Sequence, residues 1–334
     1  MGLVQYIVKR IIIYTMVFLI AVSIVWLVPR LLGNPLATVI ARVGAFGGAG
    51  QAGATVASSY FMQAFGFNKP LHEQYLLFLR GIFSGDFGIS LWLLGRPVSS
   101  IVYRALIFDI LLMVPAIIIS WFIGNYLGAL AAMYRRLDKI LMPIFYVLSS
   151  TPYFILAMLL QWALTVKYNY FPTVIQSSVV NSLLDNPSWD SFLGFLHALT
   201  LPLLSLVLVS MGGWASGIRT MIIYEMESDY SKYMESLGMS IKKITMYAFR
   251  HAINPQISGL GVQLGTLVVG SIVIEYIFNY PGLGFFLNNA IINNDPFLLE
   301  GSILLLTIMV IAANFIIDML YVILDPRIRL GVRS

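Results

Sequence analysis

Few residues in this chain are typed and spaced for catalysis. His72-Glu73 opens the HExxH pattern, in which two histidines on one helical face hold zinc beside a general base, but position 76 is leucine and the second ligand is missing. His197 and His251 stand alone, and isolated histidines pack or cap more often than they bind metal. No GxxxxGKS or GxxxxGKT loop is present to cradle nucleotide phosphates. The lack of cysteine removes disulfides, thiolate nucleophiles and cysteine metal sites. The sequence therefore predicts no catalytic residue, no metal site and no cofactor bound by this chain. Any energy it uses comes from elsewhere.

What remains is a set of polar groups inside apolar runs. Ser149, Ser150, Thr151, Tyr153 and Gln161, then Ser205 and Ser210, then Gln263, Thr266 and Ser271 are costly against lipid, so they should face protein or a wet path. Hydroxyls can bond the carbonyls of their own helix, which accounts for about half of the set. Gln161 and Gln263 are stronger pathway candidates, because a primary amide carries more groups than its own helix can satisfy. The candidate translocation pathway is Ser149, Ser150, Tyr153, Gln161, Ser210, Gln263 and Thr266. Asp109, Glu275 and Asp318 fall near the ends of apolar runs, where pairing at the membrane interface is the plain reading and a proton relay the alternative.

The elements that must position these groups follow from composition. With 59% hydrophobic and 10% charged residues among 334, and a mean hydropathy of +0.86, the chain belongs in a bilayer. The net charge of +5 comes from basic residues at the ends of apolar runs rather than in one patch, which fits membrane topology and gives no reason to expect nucleic acid. About 20 apolar residues cross a hydrocarbon core. Six runs qualify: 11–28, 110–133, 140–166, 192–218, 257–274 and 301–324. The second begins earlier, at Ala105, if Asp109 sits at the interface. The expected fold class is an all-α membrane protein with six transmembrane helices.

Lys9 and Arg10 precede a long apolar run with no small-residue cleavage site before Pro29 and Arg30, so the first run is expected to stay as an anchor. Six spans put both termini on one side. Thirteen of the 20 basic residues share that side, namely Lys9, Arg10, Arg135, Arg136, Lys139, the five from Arg219 to Arg250, and Arg327, Arg329 and Arg333. Both termini of a multi-pass cell-membrane protein are therefore expected in the cytoplasm.

Between the first two spans lies a long external segment. Its stretch 44–54, GAFGGAGQAGA, reads as a flexible insert, and 71–83, after Lys69-Pro70, has the apolar spacing of a short surface helix. The expected division is 1–32 for the N-terminal end and first helix, 33–104 for the external segment, 105–324 for a five-helix core containing a loop at 219–256, and 325–334 for a tail. Glycines four apart at Gly124 and Gly128, Gly213 and Gly217, and Gly261 and Gly265 let helix backbones approach closely. Static packing is the plain reading and sliding helix pairs the alternative.

The most informative stretch is 229–255, DYSKYMESLGMSIKKITMYAFRHAINP. A few residues suffice to join two spans, so a loop this long with a helical pattern predicts a docking surface for a soluble partner. Residues 221–234 read as an amphipathic surface helix. Gly238 breaks it, as a positive-φ cap or a point of close backbone approach, and Ser240 can cap the next helix. Two short helices bent at Gly238 are expected, with Lys242, Lys243 and Arg250 toward lipid headgroups and the acidic, aromatic first helix toward the cytosol.

Several separate motifs make the chain resemble the B-type permease subunit of ABC importers of the dipeptide, oligopeptide and nickel group. Asp229-Tyr230, Gly238-Met239-Ser240 and Arg250-His251-Ala252 through Asn254 and Pro255 resemble the family's cytoplasmic Glu-Ala-Ala loop. The segment from Ile274 to Phe278, followed by Pro281-Gly282-Leu283-Gly284, resembles its external turn, and Asp318 to Tyr321 with Leu324 to Arg329 its C-terminal signature. Val8-Lys9-Arg10, Leu71 with Gln74-Tyr75, Gly85-Asp86-Phe87-Gly88 and Arg96-Pro97-Val98 also fit. The family commonly has alanines where this chain has Tyr233 and Met234, and a small residue where it has Glu235; 44–54 looks like an insertion.

The resemblance implies a type I ABC importer permease fold working with a homologous second permease, two ATPase subunits that hold ATP and Mg, and an external solute-binding protein. It implies ATPase coupling through Asp229, Tyr230, Lys232, Tyr233, Glu235, Ser236 and Gly238, and an external turn at Pro281, Gly282 and Gly284. Peptides rank first as cargo, with oligosaccharides or nickel complexes as alternatives. A stand-alone secondary transporter or channel would also fit six spans but has little use for the long loop, and an intramembrane hydrolase would need paired catalytic groups that the sequence lacks.

Overall fold

The computed structural model describes residues 3–32, 69–93 and 95–324; the glycine-rich stretch 44–54 and the tail 325–334, with the expected C-terminal signature, lie outside them. The helices are α1 (Leu3–Leu32), α2 (Leu71–Ser84), α3 (Val98–Met133), α4 (Arg135–Ser150), α5 (Tyr153–Gln161), which continues as a π-helical stretch (Trp162–Lys167), α6 (Ser177–Asp185), α7 (Trp189–Met226), α8 (Asp229–Ser236), α9 (Ile241–Phe278), α10 (Leu283–Ile292) and α11 (Pro296–Leu324). Among the described residues the only β pairing is an isolated bridge between Ile89 and Pro97.

Stretches of α1, α3, α7, α9 and α11 are long and apolar enough to cross a bilayer. Helices close their backbone hydrogen bonds internally, as a hydrocarbon solvent requires. The expected third span, 140–166, is not one helix: α4 and α5 meet at a 103° bend. Pro152 has no N–H and drives Thr151 out of the helical region, to φ −85° and ψ 125°. Among the described residues five helices therefore span by length and composition, or six if the bent pair counts as one.

The expected two short helices around Gly238 are corrected as well. The fourth span runs without a break to Met226, so 221–226 belongs to a 38-residue helix, and α9 carries 241–256 straight into the fifth span, another 38 residues. Only α8 is short. Pro202 lies inside α7 and Pro255 inside α9, as internal prolines can where neighbouring helices satisfy the freed backbone groups.

The chain forms two compact units. One comprises Leu3–Asp109 with Pro281–Ala312. Its core gathers Val22 and Val25 of α1 and Leu304 of α11, with Phe78, Leu79 and Ile82 of α2 packed on them. α2 starts after Pro70, as predicted, and stops at Gly85, whose φ of 72° closes the last turn. Asp295 is fully buried and binds the preceding loop: its Oδ2 accepts from Ser90 Oγ at 2.6 Å, Leu91 N at 2.7 Å and Trp92 N at 3.0 Å, while Oδ1 accepts from Leu298 N at 3.1 Å. Asp109, expected at the interface, is instead buried inside this unit, where its Oδ1 accepts from Leu283 N at 3.1 Å. Pro281, which opens the Pro281 to Gly284 turn, is half-buried. Gly282 and Gly284 are buried, and Gly282 leads into α10.

The other unit comprises Ile110–Tyr280 with Ala313–Ser334, and in it α4, α5, α6, α8 and α9 all pack on α7. The glycine pairs behave differently from one another. A Cβ at Gly124 would lie 2.7 Å from Trp214 Cβ, and one at Gly128 would run into the carbonyl of Ala215, so this pair is where α3 and α7 touch backbone to backbone. Gly213 and Gly265 face open space, while Gly217 and Gly261 meet only the side-chain ends of Gln256 and Asn314. It is Gly212 that admits α4, against the carbonyl of Phe145. Glu275, also expected at the interface, is fully buried in α9.

Candidate functional site

α7 ends at Met226 because the chain folds back on Glu225. The backbone carbonyl of Glu225 accepts from Ser228 Oγ at 2.5 Å and Ser231 Oγ at 2.8 Å, and its carboxylate Oε2 accepts from Tyr230 O–H at 2.8 Å. One residue thus satisfies the hydroxyls of three neighbours and fixes the take-off of α8. Burial, and then donation to Glu225, hold the Tyr230 phenol above its ordinary pKa. Tyr230 also lies beside His251 of α9, ring centroids 5.3 Å apart.

α8 is released at its other end by Gly238, at φ 75°. Gly238 N donates to Glu235 O at 2.9 Å and Met239 N to Met234 O at 3.1 Å, closing the helix end as a left-handed cap. Nothing lies within 4 Å of the point where a Cβ would sit, so of the two roles expected for this glycine the cap is the one found. Ser240 precedes α9, but its hydroxyl makes no capping bond. Its carbonyl instead accepts from Lys243 N and Ile244 N.

Of the seven residues implied for coupling, Asp229, Lys232, Tyr233, Glu235, Ser236 and Gly238 are exposed, and Tyr230 is the inward anchor. Tyr233 and Leu237, four apart, are 65% and 62% exposed, large apolar surfaces beside both signs of charge. Beneath them Ile218 and Ile222 of α7 pack with Ala248 and Ala252 of α9. A second tie, between α4 and α7, goes unread in the sequence: Arg219 grips Asp138 with Nε–Oδ1 at 2.9 Å and Nη2–Oδ2 at 2.7 Å, a bidentate fork.

The candidate pathway residues divide. Gln263 Nε2 donates to Ser210 Oγ at 3.0 Å and Tyr153 Oη at 3.2 Å, and those two hydroxyls are 3.2 Å apart, so three residues from α5, α7 and α9 form one polar node. Beside it lies an open groove of about 640 Å³ whose wall includes Tyr153, Gly265, Thr266 and Gly270. Ser149 and Thr266 bond carbonyls of their own helix, as do Thr151, Ser205 and Ser271. Gln161 is apart from the node and donates to Thr173 O at 2.7 Å. Ser150 is exposed at the end of α4.

Residues 124–330 match the sequence pattern of the family described as "Binding-protein-dependent transport system inner membrane component". The chain is 29% identical to the oligopeptide transport system permease protein AppB of Bacillus subtilis, over 80% of this chain and 84% of that one. It is 33% identical to a putative peptide transport system permease protein of Brucella abortus, over 79% and 82%. It is 28% identical to the glutathione transport system permease protein GsiC of Salmonella choleraesuis, over 80% and 82%.

Proposed function

The chain belongs to the family of binding-protein-dependent transport system inner membrane components, and from that premise we propose that it is the permease subunit of an ATP-driven importer of peptides. In this reading it forms the path through the membrane with a homologous second permease, and an external solute-binding protein delivers the cargo. Two ATPase subunits hold the ATP and Mg, and this chain has no catalytic role. Its termini and α8 face the cytoplasm, and α2 faces outward.

The observation that carries the reading is the mounting of α8. It is an exposed eight-residue helix, clamped at Glu225 and capped at Gly238, between two helices of 38 residues each. At about 1.5 Å per residue each of those helices is about 57 Å long, so a small push on α8 is delivered across the whole membrane. Closure of the ATPase pair on Asp229, Lys232, Tyr233, Glu235 and Ser236 then tips α7 and α9 and switches access to the groove beside Tyr153 and Gln263. Few polar groups line that groove, which suits a path that passes cargo chosen elsewhere. The names of the relatives support peptides as that cargo.

Because the chain has no cysteine, a single one introduced on α8 is a clean probe. Ser236→Cys in the complete transporter should cross-link to an ATPase subunit, and uptake of a labelled oligopeptide into proteoliposomes should need both ATP and the binding protein. Uptake by this chain alone, with no cross-link formed, would overturn the proposal.

A further inference from the structure

A cavity of about 430 Å³ lies between α1, α2 and α11, with an apolar wall that includes Leu77, Phe87 and Leu304 and a charged rim and floor. We propose that it binds the headgroup of a phosphoethanolamine phospholipid. The floor is already satisfied: Arg30 Nη1 lies 2.8 Å from Glu300 Oε1, and the guanidinium stacks on Trp26 at 4.1 Å. This fixed pair has little charge to offer a ligand. The rim differs, since Arg80 and Asp86 are exposed and of opposite sign, and among the described residues no acidic group pairs with Arg80.

Three features point to lipid. Arg30 is in the last turn of α1 and Glu300 near the start of α11, so the cavity sits where two spans end, at the depth of headgroups. Arg80 is flanked on its own helical face by Leu76, four residues before, and Phe83, three after, which are 62% and 78% exposed. An exposed face of leucine, arginine and phenylalanine suits a helix lying in the interface, its apolar side chains among acyl chains and its cation at the phosphates. Finally, the rim presents one charge of each sign. Arg80 matches the phosphate, and the Asp86 carboxylate prefers an ammonium with N–H donors to a trimethylammonium, which has none.

The test uses the complete transporter, stripped of lipid in detergent and titrated with phosphatidylethanolamine, phosphatidylcholine or phosphatidylglycerol under native mass spectrometry. Phosphatidylethanolamine should bind best. Arg80→Gln should weaken all three about fivefold, the effect of one cation near a membrane surface, and Asp86→Asn should weaken phosphatidylethanolamine alone. Both side chains are exposed, so an unchanged thermal midpoint verifies the fold of each variant. Equal binding of the three lipids, or native binding by both variants, overturns the proposal. So does a photo-cross-linker in place of Leu77 that captures a protein rather than phospholipid.

Discussion

Substitutions at Gly238 separate backbone conformation from side-chain size at the α8 to α9 junction. At φ 75° an L-residue is strained by about 1–2 kcal/mol, less for asparagine and toward 3 kcal/mol for a β-branched residue. With no atom within 4 Å of the Cβ position, nothing among the described residues adds a steric term. Against the strain stand the two capping bonds, Gly238 N to Glu235 O and Met239 N to Met234 O. Exposed bonds of this kind contribute about 0.5–1 kcal/mol each. In Gly238→Val the strain exceeds the cap by about 1–2 kcal/mol, so the closed junction should fall from dominant to a minority, while Gly238→Asn keeps it and Gly238→Ala, where strain and cap nearly balance, lies between. The core below, Ile218 with Ala248 and Ala252, is untouched, so the thermal midpoint should hold within a few degrees. The informative measurement is the ratio of transport to ATP hydrolysis in proteoliposomes of the complete transporter, where valine should lose most of the ratio and asparagine little. If asparagine proves as harmful as valine, bulk against a partner decides and the left-handed cap is not the cause.

Gly128→Leu should abolish accumulation of folded protein, since the side chain would have to displace the Ala215 carbonyl and Ile218, a cost of about 3 kcal/mol or more. Gly213→Ala and Gly265→Ala, which face open space, should stay within about 0.5 kcal/mol of the parent by thermal unfolding in detergent. Asp295→Asn loses at least one of four bonds and the charge behind the others, about 2 kcal/mol, and should lower the midpoint by a few degrees. Asp295→Ala, which strands the N–H of Leu91, should cost about twice that, and equal midpoints for the two variants would show that Asp295 does not hold the loop.

The parts of this molecule that are legible in the sequence depend on local periodicity, and the parts that are not depend on distance along the chain. Five spans, α2 and the exposed face of α8 follow from apolar runs and helical spacing, and Gly238 from the residue type most at ease with positive φ. The corner at Pro152 escapes such a reading because hydropathy sums over a window, while a single imide and its effect on Thr151 set the bend. Asp109 and Glu275 read as interface residues from their place near the ends of apolar runs, yet both are buried, since position in a run says nothing about which face meets the bundle. Arg219 finds Asp138 across 81 residues, Ser90 finds Asp295 across 205 and Arg30 finds Glu300 across 270. No pattern in one sequence announces such pairs. They share a physical logic all the same: where water is scarce, a carboxylate that is buried or half-buried is stabilised by donors set in place around it. Each of these carboxylates therefore ties together segments that apolar packing alone, equally content with lipid, would leave free to slide.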